Sequence, residues 1–268
     1  MKQNRILVTG AFGYVGQNLQ PFLRNKGYEV ICIDRKIGAE VLSIDAKGLI
    51  DMEISHVIHL AGQSGLKNCD ENLEQAYSDN IKSTINLFTE MSKAGVNGTF
   101  ASSQAAKTPT ANYYGLTKYF GEIEARSQYL KYGTNINVLR FTNIYGGIGF
   151  LETKNTVVCK FAKAKKNNET IVVNGYGDQE RDFIHINDIC NAIWRSILFS
   201  TQTPIDIGTG VATSVRRLVD YFRHKFTYDD KSGMIGTMRN VADPIDAYTY
   251  LGFKAEIDLE DQIRKEFF

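Results

Sequence analysis

Residues 9–16 read Thr9-Gly10-Ala11-Phe12-Gly13-Tyr14-Val15-Gly16. They follow a β-branched run, Arg5–Thr9, that reads as a strand. They open an amphipathic stretch, Tyr14–Lys26, that reads as a helix ending at Gly27, a C′ glycine. Glycines at this spacing between strand and helix suit one task. Gly10 permits the tight turn, Gly13 lets the backbone approach a pyrophosphate, and Gly16 lets the helix pack on the sheet. Asp34 lies at the end of the next strand, Glu29–Ile33, roughly 20 residues on, where a carboxylate accepts both hydroxyls of a ribose. The same carboxylate repels a 2′-phosphate and so favours NAD over NADP. Arg35 follows at once: it pairs with a 2′-phosphate or stands as a solvated loop charge, and NADP stays open on that residue.

Working outward, the first half alternates short strands with long amphipathic runs. Further strands are expected at Val41–Ile44, His56–Leu60, Thr99–Ser102 and Ile136–Phe141, and long helices at Asp70–Lys93 and Tyr113–Tyr132. This is the pattern of a Rossmann-type α/β fold, a doubly wound parallel sheet. The second half is less regular. It reads as a helix over Asn155–Lys166, a strand over Thr170–Val173, a helix over Asn187–Ser200 with an Asn or Asp cap, and a helix over Ser214–Lys225. With no linker between the halves, residues 1–142 are expected to form the dinucleotide domain, with 181–205 returning to it. Residues 143–180 and 206–268 are expected to form a small, interleaved C-terminal substrate-binding lobe.

The chain has 268 residues, 43% hydrophobic and 23% charged, an ordinary globular composition long enough to bury a sizeable core. Lys and Arg number 31 against 30 Asp and Glu, a net charge of +1 that argues against nucleic acid as the main partner. The cysteines Cys32, Cys69, Cys159 and Cys190 form no metal-binding spacing and read as small core residues, and the histidines add no metal site. No signal-peptide layout and no membrane-length apolar run is present, so a reduced cytoplasmic setting is expected.

Tyr114 and Lys118 in Tyr114-Gly115-Leu116-Thr117-Lys118 are four apart near a helix start and share a face. A tyrosine is too weak an acid to serve as a base at neutral pH unless a neighbouring cation stabilises its phenolate. Ser102-Ser103 ends the preceding strand, where a hydroxyl can reach the same point.

With these elements in order, the chain resembles the extended short-chain dehydrogenase/reductases, the nucleotide-sugar epimerase/dehydratase family. His59-Leu60-Ala61-Gly62 resembles the family's segment beside the cofactor. Asn80-Ile81-Lys82-Ser83-Thr84 is similar to Asn-x-x-Gly-Thr, with Ser83 in place of glycine. Leu139-Arg140-Phe141-Thr142-Asn143-Ile144-Tyr145-Gly146 resembles the strand and turn that reach nicotinamide and sugar diphosphate. Gly175-Tyr176-Gly177-Asp178-Gln179-Glu180-Arg181-Asp182-Phe183 resembles the segment with a diphosphate-binding arginine. The resemblance implies Tyr114 as general base and acid, Lys118 as its pKa-lowering neighbour and ribose ligand, and Ser103 as hydrogen-bond partner or proton relay. It implies a cofactor site of Gly10, Phe12, Gly13, Tyr14, Val15, Gly16, Asp34, Arg35, Asp45, Ala46, Leu60, Ala61, Gly62, Asn80, Ser102, Tyr114, Lys118 and Thr142. Ser64, Ser103, Asn143, Arg181 and Arg239 are the implied substrate ligands, and a homodimer through the two long helices is the implied assembly. Arg181 is alternatively a structural partner of Asp182 or Asp188.

Only ten residues separate Ser103 from Tyr114, fewer than the family commonly has, so the reach of Ser103 is in question. The dehydratases place Asp-Glu after the catalytic hydroxyl, whereas Gln104-Ala105 stand here, and Gln104 cannot act as the acidic group of a decarboxylating member. Hydride transfer at a carbinol carbon remains. NAD-dependent C4 epimerisation of a nucleotide-diphosphate hexose is the favoured reading. A 4-ketoreductase or dehydrogenase is the alternative, followed by a non-catalytic dinucleotide sensor.

Overall fold

A computed structural model describes residues 4–153, 156–229 and 237–268. Six strands form the central sheet: β1 (Arg5–Thr9), β2 (Glu29–Ile33), β3 (Ile54–His59), β4 (Asn97–Ser103), β5 (Ile136–Phe141) and β6 (Ile205–Ile207). Their order is β6-β5-β4-β3-β1-β2, and every pairing is parallel. Four helices matter for the site: α1 (Tyr14–Asn25), α2 (Ser83–Ala94), α3 (Tyr113–Tyr132) and α4 (Ile186–Leu198).

Strand side chains alternate between faces, and each face has its own core. Ile6, Val8, Ile58 and Leu139 pack with Leu19 and Leu23 of α1 and Ile189 and Ile193 of α4. Leu7, Val57, Phe100 and Val138 pack with Leu87, Phe88 and Met91 of α2 and Ala125 of α3. Both faces are covered, which is why these strands are short apolar runs. The chain reverses direction across the sheet between β1 and β3. Such a switch point leaves a crevice at the carboxyl ends of the strands, where open α/β sheets bind ligands.

The structure corrects several local expectations. Val41–Ser43 is a single 3-10 turn, and no strand forms there. The helix expected over Asp70–Lys93 is divided into Leu66–Glu71, Leu73–Ala76, a π-helical stretch Tyr77–Lys82, and α2. α4 is capped by His185, whose Nδ1 accepts from the Asn187 N–H at 3.2 Å, so neither Asn nor Asp is the cap. The helix near residue 215 spans Val215–Tyr221, with Ser214 as its cap. Asn155 lies outside the described residues, and the helix there spans Val157–Lys166. Tyr113–Tyr132 forms as expected, capped by Asn112, which accepts from the Gly115 N–H at 2.7 Å. Cys69, Cys159 and Cys190 are buried, whereas Cys32 is only half-buried, and none of the four is in a disulfide.

Beyond β5 the chain builds smaller sheets. Asn143–Tyr145 pairs in parallel with Phe183–His185. Glu180–Arg181 sits between Thr213–Ser214 and Arg239–Asn240. Ile171–Asn174 pairs with Phe226–Asp229. Among the described residues no helix is long and apolar enough to cross a membrane.

Candidate active site

The glycine loop closes tightly on itself. Gly10 has a φ of +65°, and a Cβ there would lie 2.7 Å from the Ala61 nitrogen, so only glycine fits between β1 and the segment after β3. A Cβ on Gly16 would lie 2.4 Å from the Gly10 carbonyl oxygen, so the first turn of α1 is seated on the loop's own backbone. Gly13 caps α1 without any side chain, and its N–H donates to the Gly10 carbonyl at 3.0 Å. The bare amides of that helix terminus suit a pyrophosphate.

Asp34 faces this loop. One carboxylate oxygen accepts from the Phe12 N–H and the other from the Lys36 N–H, both at 2.9 Å. A cavity of about 260 Å³ lies beside it, lined by Gly10, Gly13, Asp34, Arg35, Leu60, Ala61 and Gly62 among others. Asp45 and Ala46 do not line it. Asp45 caps the turn at Gly48, and the Ala46 N–H donates to Glu90. Val41 and Leu42 line the cavity instead.

A second cavity, about 530 Å³, holds Tyr14, Val15, Ser64, Ser102, Ser103, Tyr114, Lys118, Thr142 and Asn143. Leu60, Gly62 and Gln63 line both cavities, so the two form one trough from the glycine loop to Tyr114. A larger groove of about 970 Å³ on the outer side of α3 contains none of the three expected catalytic residues.

In the trough, burial pushes the Tyr114 hydroxyl up to about 12, opposed by the neighbouring Ser103 hydroxyl. Burial pulls the Lys118 ammonium down to about 8. Lys118 Nζ donates to the Ala101 carbonyl at 2.9 Å and lies over the Phe100 ring. The half-buried Tyr114 and the buried Lys118 thus line the same trough near the end of β4.

Several expected cofactor residues have structural partners. Asn80 is a brace: its Oδ1 accepts from the Gln63 N–H at 2.6 Å, and its Nδ2 donates to the Gln63 carbonyl and to Thr117 on α3. The Ser102 hydroxyl donates to Glu122 at 2.5 Å. The Tyr14 hydroxyl donates to the Gly146 carbonyl at 2.6 Å, tying α1 to the turn after Tyr145. Thr142 bonds Ile207 of β6 through its N–H. Asn143 donates its side-chain amide to the Asp182 carbonyl at 3.0 Å.

Arg181 and Arg239 stand on adjacent strands outside the lining of the trough. Arg181 donates to the Glu180 carbonyl at 2.8 Å, and burial lowers its pKa. Arg239 pairs with the Glu180 carboxylate. The Asp182 carboxylate is occupied by Thr209, Gly210 and Ala242, and Asp188 by the N–H groups of Glu256 and Ile257.

Sequence reasoning missed the buried Glu122–Arg140 pair. Glu122 Oε1 accepts from Arg140 Nε at 2.9 Å and Oε2 from Nη2 at 2.5 Å. A signal existed, because Glu122 lies four residues beyond Lys118 on the same face of α3. It also missed Asp79 and Glu40, which close on Arg35. Among the described residues no cluster of metal-ligating side chains occurs.

The glycine cradle, the carboxylate after β2 and the tyrosine and lysine in the trough are residue types that dinucleotide-dependent hydride transfer can use. The chain is 28% identical over 294 residues to the "Putative UDP-glucose 4-epimerase" of Methanocaldococcus jannaschii, covering 97% of this chain and 96% of that protein. It is 28% identical over 257 residues to dTDP-4-dehydro-6-deoxy-D-allose reductase of Streptomyces bikiniensis, covering 80% and 78%. The structure of MoeE5 in complex with UDP-glucuronic acid and NAD superposes with a TM-score of 0.85 at 25% identity, covering 98% and 97%. Residues 6–208 match the model of the NAD dependent epimerase/dehydratase family, and the chain belongs to that family.

Proposed function

We propose that this protein is an NAD-dependent nucleotide-sugar 4-epimerase. The observation that carries the reading is the pairing of Ser103, Tyr114 and Lys118 in one cleft, with no acidic side chain on Gln104 or Ala105 to drive elimination. NAD, when bound, supplies a hydride acceptor that returns the hydride. In this reading Tyr114 takes the proton of the C4 hydroxyl and gives it back to the same oxygen after the keto sugar has turned the other face of C4 to the nicotinamide. Ser103 orients that hydroxyl, and Lys118 holds the nicotinamide ribose and favours the phenolate. Asp34 receives the adenosine ribose, Asn80 fixes the Gly62–Gln63 wall, and Asn143 and Ser64 meet the sugar.

Arg239, within a substrate lobe of residues 143–180 and 206–268, and Arg181, on the adjacent strand at its boundary, are ligands for the diphosphate. The planar donor fork of arginine suits that role. The protein works in the cytoplasm as a homodimer through α2 and α3. These helices pack side by side and expose Ile85, Tyr119, Phe120, Ile123 and Leu130. A face of that kind needs a partner.

The test is chromatographic separation of UDP-glucose from UDP-galactose, and of the glucuronate and N-acetylglucosamine pairs, after incubation with the purified protein. Interconversion of one pair without added reductant supports the reading. Conversion of a 4-keto sugar only with reduced nicotinamide would assign the reductase activity instead.

A further inference from the structure

We propose that Asp79 and Glu40, by holding Arg35, fix the preference for a dinucleotide with a free adenosine 2′-hydroxyl. The inference rests on the dinucleotide reading above and names residues that set its specificity. The smaller cavity has Asp34, Arg35 and Glu40 on the side of β2, and Asp79 on the opposite wall. A guanidinium beside the adenosine ribose is the usual ligand for a 2′-phosphate. Here it is engaged on both edges. Arg35 Nη1 and Nη2 donate to the two Asp79 oxygens at 2.8 and 2.6 Å, and Nε donates to the two Glu40 oxygens at 2.9 and 2.8 Å. These carboxylates raise the Arg35 pKa.

The two partners differ in kind. Glu40 is half exposed, so its bond to Arg35 exchanges readily with water. The Asp79 side chain is only 9% exposed and also accepts from Gln75 Nε2 at 2.8 Å. It projects from the π-helical stretch Tyr77–Lys82, a local irregularity of the kind found at functional sites. Moving Arg35 onto a phosphate strands the Asp79 charge in a buried position, which is costly. Lys36, the other cation of this cavity, has its ammonium on the Phe12 carbonyl at 2.8 Å. A 2′-phosphate therefore enters among Asp34, Glu40 and Asp79, while a ribose diol meets Asp34 with acceptor sites to spare.

Isothermal titration of NAD+ and NADP+ into dinucleotide-stripped parent, Asp79→Asn and Glu40→Gln proteins tests this. Asp79→Asn is expected to tighten NADP+ binding by about tenfold or more, the scale of a charge-assisted hydrogen bond. NAD+ binding changes by less than about threefold, the scale of an exposed ion pair. Glu40→Gln acts in the same direction and less strongly. Its site is exposed, so that arm stands even if Asp79→Asn fails to fold. An unchanged NADP+/NAD+ ratio in Glu40→Gln and in any folded Asp79 variant overturns the proposal, as does a parent that prefers NADP+. A parent that binds neither dinucleotide removes the dinucleotide reading, and this inference with it.

Discussion

Ser103 and Tyr114 line one cleft, and the Ser103 hydroxyl holds the Tyr114 pKa down, although only ten residues separate them. The short connection works because it turns back at once. Ser103 caps the 3-10 turn Gln104–Lys107, and Lys107 pairs with Asp206 of β6, which pins the turn to the sheet edge. The first turn of α3 then sits directly on it, where a Cβ on Gly115 would lie 2.5 Å from the Ala105 carbonyl oxygen. The short connection thus leaves Ser103 and Tyr114 in the same cleft.

Tyr114→Phe keeps the ring and removes the titrating oxygen. The rate should fall by at least about 10²–10⁴-fold, the usual worth of general acid–base catalysis, with circular dichroism unchanged. Ser103→Ala removes a hydroxyl that lowers the Tyr114 pKa, so the alkaline-rising limb of the pH–rate profile should move up. Lys118 is charged below about pH 8 and loses its proton above it. Loss of the ammonium then offsets the gain of phenolate, so the alkaline rise should level off above about pH 8, and in Lys118→Met the rise should continue to higher pH. The Tyr114 and Lys118 losses should not add.

The Glu122 carboxylate should matter for stability. It is almost fully buried, with Arg140 on both oxygens and Ser102 on one. Glu122→Ala leaves the Arg140 charge uncompensated and should cost about 3–5 kcal/mol by urea unfolding. Replacing both charges with apolar residues of similar volume should recover much of that loss. A cost near zero for the single variant would mean that Arg140 reaches water.

Acid should destabilise the fold through two histidines. His59 bridges Thr9 and Thr84, His56 bonds Thr99, and burial lowers them to about 3 and about 4. Both are neutral when folded and bind protons only on unfolding as pH falls below the reference value. Their contribution is complete above about pH 6.5 and is lost on acidification, by roughly 2 kcal/mol per histidine at pH 5. Urea unfolding at pH 7 and pH 5 should show this slope, and His59→Gln should reduce it by about half.

Phe120→Asp places a charge in the exposed apolar stripe of α3. Light scattering should give a dimer for the parent and a monomer for the variant, with helix content retained. A monomeric parent at micromolar concentration would contradict the proposed assembly.

The central fold was legible because its signals are local. Alternating apolar runs, the loop Gly10–Gly16 and the helix Tyr113–Tyr132 are each set by neighbours in sequence. Val41–Ser43 was misread because a short apolar run fits a turn as well as a strand. The break over Tyr77–Lys82 was invisible because a π turn keeps helical composition and changes only the phase. Within the site, Tyr114 and Lys118 declared themselves by spacing. The ion pairs Arg35–Asp79 and Arg140–Glu122 join residues 44 and 18 positions apart, and only the folded sheet brings them together. Asp45 was placed at the cofactor by motif, whereas its local Asx bond to Gly48 makes it a helix cap.

The most direct test of the epimerase reading follows the hydrogen on C4. A nucleotide hexose carrying deuterium at C4 is incubated with the protein and no added reduced nicotinamide, and the product is read by NMR and mass spectrometry. The account predicts the C4 epimer with deuterium retained at C4, because the hydride leaves and returns within one active site. Deuterium washing out into added unlabelled dinucleotide, or turnover that consumes reduced nicotinamide mole for mole, would contradict it.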